Sequence, residues 1–329
     1  MSSATAPTKG SRTAQPTRQG RSGRRPGRPA ASDRTRAEGR LGWLLAGPAF
    51  VVMLAVTAYP ILQAVYESLF SFRLTAPDER RFVGLGNYAV VLSDPVWWRD
   101  LGVTVLITVV TVVVELVLGF ALALVMHRAI RSLRGVLRTA ILVPYGIITV
   151  VSAFAWFYAF DINSGFVNSW FDWVPGIDAD LNWFAGTGTS LTVIILSEIW
   201  KTTPFISLLL LAGLAQVPTE LEEAAKVDGA TWWQVLRRVI VPNMKAAIMV
   251  AVLFRALDAF RIFDNVFIMT AGANNTEVLS LLAYRQSIQR LEIGLGSAIS
   301  VLLFLCVVGI AWGAIKVFKV DLAGARGER

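Results

Sequence analysis

The sequence predicts an all-α integral membrane protein with six transmembrane helices and a cytoplasmic helix-turn-helix ahead of the fifth, on three observations. Of the residues, 55% are hydrophobic and only 16% charged, yet the chain carries a formal charge of +8, so its charges must lie outside long apolar segments. Apolar runs able to cross a hydrocarbon core about 30 Å thick, which takes about 20 helical residues, recur near 43–70, 101–126, 136–160, 190–214, 243–270 and 296–318. The basic residues collect in alternate connections, as the positive-inside rule requires of a chain that crosses repeatedly.

Residues 1–40 hold ten Arg and Lys against two acids among Ser, Thr, Pro and Gly. They cannot bury a core and are expected to be a disordered cytoplasmic tail. Joined to a membrane domain at 41–320, such a tail is better placed to meet acidic lipid headgroups than nucleic acid. It is not a cleavable signal peptide, because about forty polar residues precede the first apolar run. With six spans both termini share one side. If that side is the cytoplasm, the tail, the connections 128–138 and 216–245, and the C-terminus from Lys316 on (321–329 being a short tail) together hold 22 of the 31 basic residues. The opposite connections hold six. Loop 161–188 has Asp161, Asp172, Asp178 and Asp180 with no Arg or Lys, which assigns it to the outside of the plasma membrane, where Trp170, Trp173 and Trp183 suit the interface.

The sequence also excludes several chemistries. Cys306 is the single cysteine and lies in an apolar run, so it is read as a small packing residue. The single histidine, His127, ends an apolar run beside Arg128, as an interfacial residue does. Metal clusters and Ser/His/Asp or Cys/His catalysis lack their parts, so no catalytic or metal-ligating residue is assigned. No phosphate-cradling G-x-x-x-x-G-K-[ST] occurs, so any ATP is bound by another chain.

One polar island interrupts the apolar pattern at 218–242 and includes "EEAAKVDGATWWQVLRRVIVP". Thr219 and Glu222 have capping-box spacing, so a helix is expected to start there. It would stop at Asp228-Gly229, where glycine can take the left-handed conformation. A second helix then presents Trp232, Val235, Leu236 and Val239 on one stripe, with Arg237 and Arg238 off it. Pro242 is tolerated in the first turn of the next helix. An amphipathic interfacial connector is one reading of this segment. A docking element is the other: Ala224, Ala225 and Gly229 permit close approach, and Glu220, Glu222 and Glu223 offer a fixed negative surface.

The docking reading gains from a resemblance. Glu223, Ala224, Ala225, then Gly229, then Val239, Val241 and Pro242 match the E-A-A, three residues, G, nine residues, I-x-L-P signature of permease subunits of binding-protein-dependent ABC importers, with valines for the usual Ile and Leu. "GPAFVVMLAVTAYPILQAVYESLFSF", "FVGLGNYAVVL" and "FRALDAFRIFDNVFIMTAGA" resemble segments of the carbohydrate-uptake, maltose-permease-like branch, its trehalose importers included. The resemblance implies a non-catalytic subunit that takes up a neutral carbohydrate, a disaccharide such as trehalose, by alternating access. It implies as partners a second permease subunit, two cytoplasmic ATPase subunits that bind ATP and Mg, and an extracytoplasmic binding protein or lipoprotein.

Charges inside spans are costly and so are candidate solute-site residues. Span four carries Glu198 and Lys201 beside Trp200, Thr202 and Phe205, and span five carries Arg255, Asp258, Arg261 and Asp264 in steps of three. Each step turns about 300°, so these four cannot all face one pore. Pairing at i,i+3 (Glu198 with Lys201, Arg255 with Asp258, Arg261 with Asp264) sums to zero and favours a neutral polar solute, with Trp156, Trp200 or Phe205 covering sugar faces. Carried over from maltose-type relatives, the solute contacts become Ser152, Glu198, Lys201, Thr202, Phe205, Arg255, Asp258 and Ala259. Uptake of a charged solute such as glycerol phosphate is the alternative; a secondary transporter or a membrane enzyme is disfavoured by the lack of inverted repeats and of paired catalytic groups.

Overall fold

The computed structural model describes residues 33–130, 132–175 and 180–318. The expectations for residues 1–32, for Asp178 and for the tail 321–329 lie outside these. Helix α1 spans Asp33–Ser68, so the first helix begins eight residues before the expected boundary at 41. The chain divides into two units after Ala58. Within the first, Trp43 packs edge-on against Phe50 at 6.5 Å between ring centroids.

In the second unit, strands β1 (Phe70–Ser71) and β2 (Arg81–Phe82) pair antiparallel, Phe70 opposite Phe82. The Arg80 guanidinium lies 4.4 Å from the Phe70 ring centroid and donates to Glu67. A short helix α2 (Gly86–Ser93) leads into α3 (Pro95–Arg128). Asp94 caps α3 by accepting from the Val96 amide, and Pro95 occupies a position whose missing N–H costs nothing.

The third expected span is broken. Helix α4 (Arg134–Gly146) ends just after Pro144, and Ile147 and Ile148 are extended before α5 (Thr149–Phe160). The two helices meet at 86°. After a short α6 (Val167–Trp170), helix α7 (Thr187–Leu214) forms the most buried of the long apolar helices. It packs on α3 through Gly119, where a Cβ would come within 2.7 Å of Ile206. Buried hydroxyls on both helices bond to carbonyls of their own helix, Thr104 to Asp100, Thr108 to Thr104 and Thr203 to Ile199, so the polar faces of α3 and α7 turn inward without orphan donors. The outward face of α3 is apolar and exposed, with Val105, Val109, Val113 and Val117 in one row.

Three short helices follow: α8 (Thr219–Val227), α9 (Trp232–Val235), then a π-turn over residues 236–240 into α10 (Val241–Asn243). The fifth expected span, 243–270, is also broken, into α11 (Lys245–Ala259) and α12 (Asp264–Met269). At 15 residues α11 is roughly 22 Å long, short of a hydrocarbon core. Helix α13 (Leu279–Tyr284) and a π-turn at 285–289 precede α14 (Ile293–Phe318). Among the described residues four helices are long and apolar enough to cross a membrane, and a fifth crossing results if α4 and α5 count as one.

One expectation about the loops is corrected. Trp183 is not an interfacial anchor: it is buried, and its indole N–H donates to Asn168 Oδ1 at 2.7 Å, whereas Trp170 and Trp173 are exposed. The carboxylate of half-buried Asp161 accepts from the amides of Asn163 and Ser164 and from the Ser164 hydroxyl, which holds its pKa below the usual carboxylate range. Near the start of α3, Arg99 bridges Asp100 and Glu277, and Arg285 reaches Glu277 as well. Burial pushes the Glu277 carboxyl pKa up, against the pull of these arginines.

Candidate functional site

The two helix breaks lie side by side and open a cavity of about 570 Å³. Tyr145 to Thr149 line it from the α4/α5 break, Arg261 to Asn265 from the α11/α12 break, Glu198, Lys201 and Thr202 from α7, and Asp258 from the end of α11. Irregular backbone at membrane depth is tolerated where it faces such a cavity rather than lipid. The volume falls within the range of about 300–1,000 Å³ usual for small-molecule sites.

Behind one wall sits Arg255, only 1% exposed. Its Nε and Nη2 donate to the two oxygens of Glu115 on α3, Nη2 also to Glu198 Oε1 on α7 at 2.8 Å, and Nη1 to Asp258 Oδ2 at 2.8 Å. One guanidinium thus ties three helices through three carboxylates, a planar fork meeting acceptors that match it. Thr202 Oγ1 lies 2.6 Å from Glu115 Oε1, and Asn265 Nδ2 donates to Glu198 Oε2 at 2.6 Å. That last bond sets the orientation of the amide, because only the nitrogen can face a carboxylate. Asn265 Oδ1 is then buried without a hydrogen-bond partner among the described residues.

Of the i,i+3 pairs expected from sequence, only Arg255 with Asp258 forms. Glu198 turns to Arg255 instead of Lys201, and the Arg261 Nε donates to the Leu257 carbonyl instead of reaching Asp264. The reason lies in tertiary structure: a partner on another helix offers better geometry than a neighbour on the same helix. Lys201, 8% exposed, has no carboxylate within ion-pair distance among the described residues; its Nζ lies 5.7 Å from the Tyr145 ring centroid. The expected sugar-covering aromatics are displaced too. Trp156 stacks on Phe160 and abuts Trp200, Phe205 stacks on Tyr145, and of these five rings only Tyr145 lines the cavity.

Among the carried-over residues, Glu198, Lys201, Thr202 and Asp258 line the cavity. Ser152, Phe205, Arg255 and Ala259 do not, Ser152, Arg255 and Ala259 being buried in packing. Sequence reasoning missed Glu115, Asn265 and Tyr145. Glu115 carried a usable signal, a lone acid inside an apolar run. The balance of three i,i+3 pairs also changes, since Glu115 adds an acid that the sum to zero left out.

At the other candidate site, Gly229 has φ +78° and closes α8 as expected, with open space around its Cα, so conformation and not room demands glycine. The capping box expected at Thr219 is absent, because Pro218 takes the cap position and Thr219 is already helical. It forms instead at the next helix: the Thr231 hydroxyl accepts from the Gln234 amide, and the Gln234 side chain accepts from the Thr231 N–H at 2.7 Å. No residue of α8 is buried; Glu220, Glu223 and Ala224 are exposed, as are Asp228 and Gly229 beyond its end, while Glu222 and Ala225 are half-buried. Val235, Leu236 and Ile240 sink into a core with Leu210, Leu214 and Met244, while Trp232, Arg237 and Arg238 remain exposed.

Apolar spans around a polar cavity at two helix breaks, with an exposed helix between spans, define a multi-pass membrane transport subunit. Residues 115–316 match the family described as binding-protein-dependent transport system inner membrane component, and the chain belongs to that family. It is 50% identical over 288 residues to a trehalose transport system permease protein of Mycobacterium tuberculosis, covering 88% of this chain and 92% of the relative. It is 35% identical over 282 residues to a trehalose/maltose transport system permease protein of Thermococcus litoralis, covering 85% and 94%. A sulfoquinovosyl glycerol transport permease of Agrobacterium fabrum is 34% identical over 82% of this chain and 88% of its own length. A chain of a bacterial alginate ABC importer shares the fold, with a TM-score of 0.74 at 20% identity over 88% of this chain and 100% of that one.

Proposed function

We propose that this permease conducts a neutral carbohydrate, a disaccharide of the trehalose or maltose kind, through the cavity between the two helix breaks. The observation that carries the reading is the hydrogen-bonding capacity left over at its wall. Lys201 supplies up to three donors, and Asp258, with its side chain 68% exposed, keeps one carboxylate oxygen free. Hydroxyls, which both donate and accept, match that set. The names of the two trehalose-related permeases support the same solute class.

In this reading α4 with α5, and α11 with its flanking turns, each make one crossing, so that six crossings leave both termini in the cytoplasm. The exposed stretch from Glu220 to Gly229, most of α8 and the turn that closes it, docks on a cytoplasmic ATPase. A second permease completes the pathway, two ATPase subunits bind the ATP and Mg, and an extracytoplasmic binding protein delivers the solute. This chain itself holds no cofactor and binds no nucleic acid. ATP closure moves the docked segment, and α11, which follows it directly, carries that movement to Asp258.

Uptake of labelled trehalose by the complete transporter in proteoliposomes tests the proposal, with neutral and anionic solutes as competitors. ATP-dependent uptake that Lys201→Met weakens by raising KM about tenfold, the loss of one charged hydrogen bond, is expected. Uptake by this chain alone, driven by an ion gradient, would overturn it. An anionic solute is the second reading, favoured by the name of the Agrobacterium relative and by Arg261 at the wall. Preferential competition by the anionic solutes would establish it.

A further inference from the structure

Arg255 raises a question that the solute reading leaves open: why does an arginine beside a polar cavity contribute nothing to its wall? Asp258, three residues away, has its side chain 68% exposed, whereas the Arg255 side chain is 1% exposed. The partners explain the difference. Two of its four hydrogen bonds run to Glu115, which does not line the cavity; the other two run to Glu198 and Asp258, which do. Glu115 therefore pulls the guanidinium away from the solute, while Glu198 and Asp258 pull it toward the solute.

We infer that Glu115 is a specificity-determining positioning residue, which keeps Arg255 inside the wall and so denies anionic solutes a cationic partner in the cavity. Formal charge points the same way. Glu115, Glu198, Asp258 and Asp264 stand against Lys201, Arg255 and Arg261, an excess of one acid that vanishes without Glu115. Withdrawing its charge leaves Arg255 held only from the cavity side, so the guanidinium moves toward Glu198 and Asp258 and offers the freed N–H groups to whatever occupies the cavity. Glutamine at 115 fills the same space, yet its amide group cannot accept both N–H bonds. The inference rests on the reading of this cavity as the solute site.

The test reads a ratio, the dissociation constant of trehalose 6-phosphate against that of trehalose for the membrane complex held without its binding protein, beside uptake of labelled trehalose by the complete transporter in proteoliposomes. Glu115→Gln is expected to lower that ratio about tenfold, the order that one partly screened charge produces. Glu115→Asp, which keeps the charge but shortens the reach, is expected to fall between, and Glu115→Gln with Arg255→Gln is expected to lose the gain. A purely structural role for Glu115 lowers the amount of active transporter and leaves the ratio alone, so an unchanged ratio overturns the inference. So does a double variant that keeps the gain. If the Gln variant does not reach the membrane, the Asp variant decides by the same ratio. A wild-type transporter that takes up no neutral disaccharide sinks the solute reading instead, whereas uptake with an unmoved ratio sinks only the role of Glu115.

Discussion

The wall of the cavity and the segment 218–242 are two polar regions of a largely apolar molecule, and they treat their charged groups in opposite ways. At the wall, Arg255, Glu115 and Glu198 are buried and bonded to one another across α3, α7 and α11. In the segment, α8 buries no residue, and its acids form no ion pair among the described residues. The lesson is that the Arg255 cluster finds its partners within one chain, while α8 leaves its acids exposed, as the proposed docking requires. Burying charges is expensive unless they are paired, so the guanidinium of Arg255 is bonded to Glu115 and Glu198. An exposed helix is under no such constraint.

Breaking the wall is the harshest test of this contrast. Arg255→Met strands Glu115 and Glu198 without their cation, which is expected to cost about 3–5 kcal/mol, the usual effect of removing one partner of a buried ion pair. Uptake and detergent-solubilised thermal stability should fall together; a stable Arg255→Met protein would show that the network is dispensable.

The segment should respond differently. Glu223→Lys and Gly229→Asp are expected to abolish ATP-driven uptake while membrane content and thermal stability stay close to wild type, since both positions are exposed. Gly229→Asp also places a side chain at φ +78°, a strain of about 1–2 kcal/mol confined to one turn. Normal transport in both variants would remove the docking role. The smallest effect is expected at Thr231→Ala, which deletes one capping bond worth about 1 kcal/mol. Faster amide exchange at residues 232–235, with uptake reduced and not lost, is the outcome to look for. No change in exchange would mean that the buried side chains Val235 and Leu236 alone hold the helix.

Much of this was legible in the amino-acid order. The spans at α3, α7 and α14 follow from runs of apolar residues, and Gly229 marks the end of α8 because its backbone conformation suits little else. What was not read were the breaks at 147–148 and 260–263: "YGIITV" is apolar enough to continue a span, and the charges of "FRIFDN" fit an i,i+3 pair on a continuous helix as well as a break. Glu115 was readable in principle, as a lone acid in an apolar run. Its partner was not, because Arg255 stands 140 residues away.

Composition and periodicity therefore determined the membrane class, most of the spans and the exposed segment, all of which depend on each residue's own preference for lipid, water or a turn. Tertiary structure decided which charges meet. Glu198 had Lys201 within reach on its own helix and bonded Arg255 instead, because a buried carboxylate takes the partner that offers the best geometry in space, and nearness along the chain does not set that.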